Sequence, residues 1–195
     1  MSRFDQDVVG VLRRPRRTLA ALAELRAPVV GLYAVLMLAG TYSVFCLLLW
    51  SQGHAPSRPG ALGLIAAEGY YLFQAALMPL LFPVLWLVFS GVVHLVARGL
   101  GGRGAIRAGL TALGFAYAVP LTVAYVLPDL LAFLVFGFEA MVLGMRVYGP
   151  LALLWTLGLS TVAAKAAYKL PTPRAAAAVC VGFIAQGVLG GIFIR

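Results

Sequence analysis

Acidic side chains are scarce in this chain: there are six among 195 residues, against fifteen lysines and arginines. Charged residues of both signs make up only 11%, less than half the roughly 25% of an average soluble domain. That excludes a separate soluble domain. Histidine is rarer still. His54 and His94 stand far apart with no acidic or cysteine partner at ligand spacing, so no metal motif is present. The two cysteines, Cys46 and Cys180, both fall in apolar segments. They read as small apolar fillers and not as a disulfide or a metal pair. No G-x-S-x-G elbow occurs, and nothing indicates a cofactor. A cleavable signal peptide is not expected either. The first 27 residues are polar and arginine-rich, and the apolar run after them is too long for a signal peptide's apolar region.

What the chain has in abundance is apolar sequence, 63% of it, with a mean hydropathy of +0.99. The apolar residues come in blocks near the ~20 residues that a membrane-spanning helix needs. The fold class expected is all-α: an integral membrane bundle of five transmembrane helices with an N-terminal amphipathic cytoplasmic segment. In a soluble protein a net charge of +9 would suggest nucleic acid. In a membrane protein it points to orientation and to contact with anionic lipid, and no nucleic-acid partner is expected.

Residues 1–27 form the amphipathic basic segment and residues 28–195 the membrane domain. Phe4, Val8, Val9, Val11 and Leu12 make a short apolar face. Pro15 then favours the start of a second short helix, along which Leu19, Leu22 and Leu25 recur at helical spacing. With Arg13, Arg14, Arg16 and Arg17 beside the bilayer, this element is expected to lie on the membrane surface.

The spans expected are 28–50, 70–97, 106–127, 149–164 and 175–194. Pro79 and Pro83 should kink the second, and Pro120 lies near the middle of the third. Ala108, Ala112 and Ala116 form a small-residue ridge suited to close helix packing. Residues 130–144 are apolar but short, and Asp129, Glu139 and Arg146 interrupt the region. They are expected to be re-entrant or interfacial. Twelve basic residues then fall on one side, in the clusters Arg3–Arg26, Arg98–Arg107 and Lys165–Arg174. Three fall on the other, namely Arg58, Arg146 and Arg195. A sixth span over 130–144 would carry the third cluster across the membrane and weaken that contrast, so five spans fit the positive-inside rule better.

Several motifs, in order, resemble a known family. They are Arg14-Pro15-Arg16 before the first span and Gly101-Gly102-Arg103-Gly104 after the second. Tyr117 and Pro120 follow in the third span and Trp155 and Gly158 in the fourth, then Lys169-Leu170-Pro171. Nearly the whole chain is similar to the bacterial branch of the Yip domain family, five-span proteins first known as Rab-interacting Golgi membrane proteins. The resemblance implies a non-enzymatic protein of the cell inner (cytoplasmic) membrane; the charge distribution over five spans places the N-terminus in the cytoplasm and the C-terminus outside. Eukaryotic members act in vesicle trafficking and bind prenylated small GTPases. They carry an Asp-Leu-Tyr-Gly-Pro motif before the first span. Here Tyr148-Gly149-Pro150 stands before the fourth span instead, so GTPase binding does not transfer.

Two sets of residues are expected to matter. Arg13, Arg14, Arg16, Arg17, Arg98, Arg103 and Arg107 should contact anionic phospholipid. The glycine-rich turn 101–104 lacks the strand and the Lys-Ser/Thr of a phosphate loop. It either offers backbone donors to headgroups or simply closes a hairpin. Glu68, Gln74, Asp129 and His94 are the polar groups that a ligand site would use, which keeps a small transporter or transporter subunit as the alternative function. Ser90 and His94 share a helix face. They suit hydrogen bonding between helices better than nucleophilic catalysis, because no carboxylate is near to orient the imidazole. Gln186 lies on a face with Ala178, Gly182 and Gly190 that invites close helix contact, and Gly187 with Gly191 offers a second such face, both read as helix packing; other membrane proteins or self-association are the protein partners expected.

Overall fold

A computed structural model describes residues 2–56 and 66–193. Among them the elements are α1 (Arg3–Arg13), α2 (Pro15–Leu25), α3 (Pro28–Ser51), a 3-10 turn (Ala67–Gly69), α4 (Tyr70–Gly99) and α5 (Ile106–Leu121). A π-helical turn (Thr122–Val126), α6 (Leu127–Phe136), α7 (Phe138–Tyr168) and α8 (Thr172–Phe193) follow. Five helical stretches are long and apolar enough to cross a membrane: Pro28–Ser51, Ala67–Gly99, Ile106–Phe136, Phe138–Tyr168 and Thr172–Gly191. Arg58 and Arg195 lie outside the described residues.

Local chemistry sets the short elements. Ser2 Oγ accepts from the Asp5 N–H at 3.2 Å and the Ser2 N–H donates to Asp5 Oδ2 at 2.8 Å, which closes a capping box on α1. Arg14, preceding a proline, leaves helical geometry at φ −141°, and Pro15 opens α2 at its first position.

The sequence suggested that α1 and α2 lie along the membrane surface, and in the structure most of their apolar residues face the bundle. They pack onto α5 and α7: Val11, Leu19 and Leu22 join the main core, and the Phe4 ring meets Phe115 at 5.6 Å. The bundle covers most of the apolar face, while Leu12, Leu25 and the arginines stay exposed.

The second correction concerns residues 128–148. They form no separate re-entrant element. Residues 127–136 continue the third span as α6, and 138–148 begin the fourth. Gly137, at φ 86°, makes the reversal between them, a backbone conformation that a side chain would strain. Asp129 sits within the helix and lowers the apparent hydropathy, but its carboxylate is satisfied internally (below). Each of these two stretches has 31 residues and is about 46 Å long at 1.5 Å per residue. Both therefore exceed the ~30 Å hydrocarbon core. Pro120 lacks the N–H that would close the turn to Ala116. Just beyond it the helix widens, and the Leu127 N–H reaches back five residues to the Thr122 carbonyl.

α5 is the central helix and touches α1, α2, α3, α4 and α7. Its alanine ridge, Ala108, Ala112 and Ala116, is fully packed, as the sequence suggested. A Cβ added at Gly114 would stand 2.6 Å from the Gly31 carbonyl oxygen, so α3 and α5 cross backbone to backbone. Across α4 and α8, a Cβ at Gly182 would meet Val93 at 2.6 Å, in line with the small-residue face read from Gln186. The chain reverses at each span, so the three basic clusters share one end of the bundle. There the Arg103 N–H donates to the Tyr168 carbonyl at 3.0 Å and Arg174 Nη1 to the Leu100 carbonyl at 3.2 Å. At the opposite, distal end His54 stacks on Phe138 at 4.6 Å.

Candidate functional site

Two features can bind something, one at each end. At the basic end, Arg13, Arg14, Arg16, Arg17, Arg98, Arg103 and Arg107 all have exposed side chains. The glycine-rich turn uses its backbone donors internally. The Gly102 N–H bonds the Ala97 carbonyl at 2.8 Å and the Arg103 N–H bonds Tyr168. The turn is thus a closed hairpin docked on α7, and what it presents to a ligand is arginine side chains. A groove of ≈ 560 Å³ runs between α2 and the C-terminal part of α7. Arg16, Lys165 and Lys169 line it with the hydroxyls of Thr161 and Thr172, and Val162, Ala166 and Leu170 supply apolar wall. Lys165 Nζ lies 3.2 Å from Thr172 Oγ1, which directs one ammonium toward the groove. On α1, burial raises the Asp7 carboxyl above its ordinary pKa, and the Arg3 guanidinium opposes the shift.

At the distal end, α3, α4, the π turn, α6 and α7 line a half-open cavity of ≈ 430 Å³. Asp129 lines it and is 3% exposed. Tyr42, Tyr70, Tyr71 and Tyr125 surround it, with Phe45 and Phe138, the thioethers of Met141 and Met145, and Pro56 from the loop after α3. The Tyr148 hydroxyl, one helix away on α7, donates to Asp129 Oδ1. The Tyr125 hydroxyl reaches Met145 Sδ at 3.1 Å. Gly149 packs against the Tyr125 ring, 3.5 Å from where its Cβ would be. Tyr148 and Gly149, which share only their residue types with the eukaryotic motif, thus have a structural role of their own.

The four polar residues singled out in the sequence do not assemble. Asp129 faces the cavity, whereas Glu68 is exposed on the 3-10 turn and Glu139 is exposed at the start of α7. Gln74 is buried on α4, one turn beyond Tyr70. His94 lies near the basic end, its ring 5.5 Å from that of Tyr168. Ser90 Oγ has no hydrogen-bond partner, so Ser90 and His94 form neither a catalytic pair nor the interhelical bond expected of them. Gln186 Nε2 does form one, to the Tyr117 hydroxyl at 2.8 Å. Among the described residues no group of three or more His, Cys, Asp and Glu side chains could hold a metal ion. The tyrosines are what sequence reading missed. They sit in the distal halves of four spans, where tyrosine reads as an interfacial belt residue. Only the packing turns them toward one carboxylate.

No curated protein and no solved structure shows significant similarity to this chain. The Yip1 domain family, in contrast, matches residues 9–194, from the first amphipathic helix to the end of the last span. With the five apolar helices already described, that match over nearly the whole length establishes that the chain belongs to the Yip1 domain family.

Proposed function

We propose that this chain is a non-enzymatic membrane protein that binds anionic phospholipid at its basic end and meets other membrane proteins, or a second copy of itself, through an open face of α8. The groove lined by Arg16, Lys165 and Lys169 carries the reading. Cations beside an apolar wall suit an amphiphile: the phosphate meets the ammonium and guanidinium groups, and the acyl chain lies along Val162 and Ala166. Each basic residue near an anionic surface contributes about 1 kcal/mol, so the trio contributes on the order of 3 kcal/mol. On the positive-inside rule we read the basic end as cytoplasmic, with the N-terminus inside and the C-terminus outside, and on the family resemblance we assign the chain to the cell inner membrane. Gly187 and Gly191 have nothing within 4 Å of where a Cβ would sit, which leaves that face of α8 open to a partner helix.

Native mass spectrometry of the full chain, released from nanodiscs of mixed phosphatidylglycerol and phosphatidylcholine, tests the lipid reading. Retained lipid should be enriched in phosphatidylglycerol. Replacing Arg16, Lys165 and Lys169 together with Gln should remove most of that enrichment. An unchanged ratio in the triple variant would overturn it. The alternative, a small transporter or transporter subunit, draws its support from Asp129 in a distal cavity. It requires solute flux in proteoliposomes that Asp129→Asn abolishes.

A further inference from the structure

We propose that the distal cavity is a binding site for an organic monocation, a quaternary ammonium or protonated amine, with Asp129 as its counter-charge. The inference is independent of the lipid reading at the basic end. Asp129 is one of three acids in the distal half, and the other two, Glu68 and Glu139, are exposed to solvent or headgroups. Asp129 is not. A carboxylate within a span needs a partner, and such residues mark ligand sites. Tyr148 supplies one hydrogen bond but no charge. Among the described residues no lysine, arginine or histidine lines the cavity. A bound cation would supply the opposite charge that these residues do not.

The lining specifies what kind of cation fits. Four tyrosine and two phenylalanine rings offer the π-faces that attract soft organic cations. Met141 and Met145 add polarisable sulfur. Hard inorganic cations need a shell of six or more oxygens, and a wall of rings and thioethers with one carboxylate does not provide it. A single carboxylate balances a single positive charge. The volume of ≈ 430 Å³ falls in the range of small-molecule sites, roughly 300–1,000 Å³. His54, edge-on to Phe133 at 5.3 Å and stacked on Phe138, fixes the loop that brings Pro56 to the cavity rim.

Isothermal titration of the full chain in maltoside, a detergent without charge, tests the proposal. The probes are tetramethylammonium, choline, tetraethylammonium and benzyltrimethylammonium, with 3,3-dimethylbutanol as the neutral isostere of choline. At least one cation should bind with one-to-one stoichiometry, and choline should bind roughly tenfold or more tightly than its isostere. Asp129→Asn, which keeps an acceptor for Tyr148, should lose at least as much, and Tyr42→Leu should lose severalfold. Helical circular dichroism and a retained melting transition check that both variants fold. Two outcomes overturn the proposal: no cation binds the native chain, or Asp129→Asn binds as the native chain does. A second arm distinguishes the sources of the cation. Choline is titrated into phosphatidylglycerol nanodiscs with and without phosphatidylethanolamine. Competition by ethanolamine lipid identifies a headgroup as occupant, and equal affinity identifies a soluble amine.

Discussion

Tyr148→Phe isolates the contact on which the distal cavity depends. It removes one hydroxyl and leaves the ring. The lost interaction is the hydrogen bond to Asp129, a carboxylate left 3% exposed and with no basic neighbour along the cavity wall among the described residues. Hydrogen bonds between helices in membrane proteins average about 0.6 kcal/mol and reach about 1.7, while bonds to charged groups in proteins generally contribute about 1.5–3. A buried carboxylate belongs at the top of the membrane range, so the substitution should cost about 1.5 kcal/mol, or about tenfold in the folded-to-unfolded ratio. Replacing both partners by apolar groups of similar shape removes the unsatisfied acceptor as well. Hence Asp129→Leu combined with Tyr148→Phe should be less destabilising than the two single changes added together, by about 1 kcal/mol or more. SDS titration of helicity in mixed micelles measures all four corners of this cycle. A Tyr148→Phe variant as stable as the native chain, with purely additive effects, would refute the placement of Asp129 against Tyr148.

Two glycines should behave oppositely. Gly114→Ala forces a methyl to within 2.6 Å of the Gly31 carbonyl, which belongs to another helix backbone and cannot rotate away. It should lower stability by about 1–3 kcal/mol despite alanine's better helix propensity. Gly187→Leu meets open space. It should change monomer stability by less than about 0.5 kcal/mol and, where α8 mediates self-association, lower the dimer fraction seen by cross-linking. Equal effects at the two positions would contradict the packing described.

The layout of the bundle was legible because it follows from rules that act along the chain. Arg98, Arg103 and Arg107 stand beside Lys165 and Arg174 because apolar blocks of spanning length separate them, and Pro15 and Pro28 open helices because the first helical position needs no N–H and suits the fixed φ of proline. Where the sequence misled, a side chain had met a distant partner. Asp129 looked like an interruption because its charge counts against any span. Tyr148, nineteen positions on, satisfies it within the bundle. Leu19 and Leu22 looked like a lipid-facing stripe because nothing local distinguishes bilayer from protein as the apolar phase. α5 and α7 turned out to be that phase. The tyrosine cavity was invisible for the same reason, since its walls come from five separate elements.

The central claim is that the three basic clusters lie together on the cytoplasmic face and that α6 and α7 meet on the other. Single cysteines at Lys169 and Glu139, both exposed at opposite ends, test it in a Cys46→Ala, Cys180→Ala background. A membrane-impermeant maleimide applied to intact cells should label the Glu139→Cys chain at once and the Lys169→Cys chain only after the membrane is opened. Labelling of Lys169→Cys in intact cells, with Glu139→Cys protected, would contradict the account.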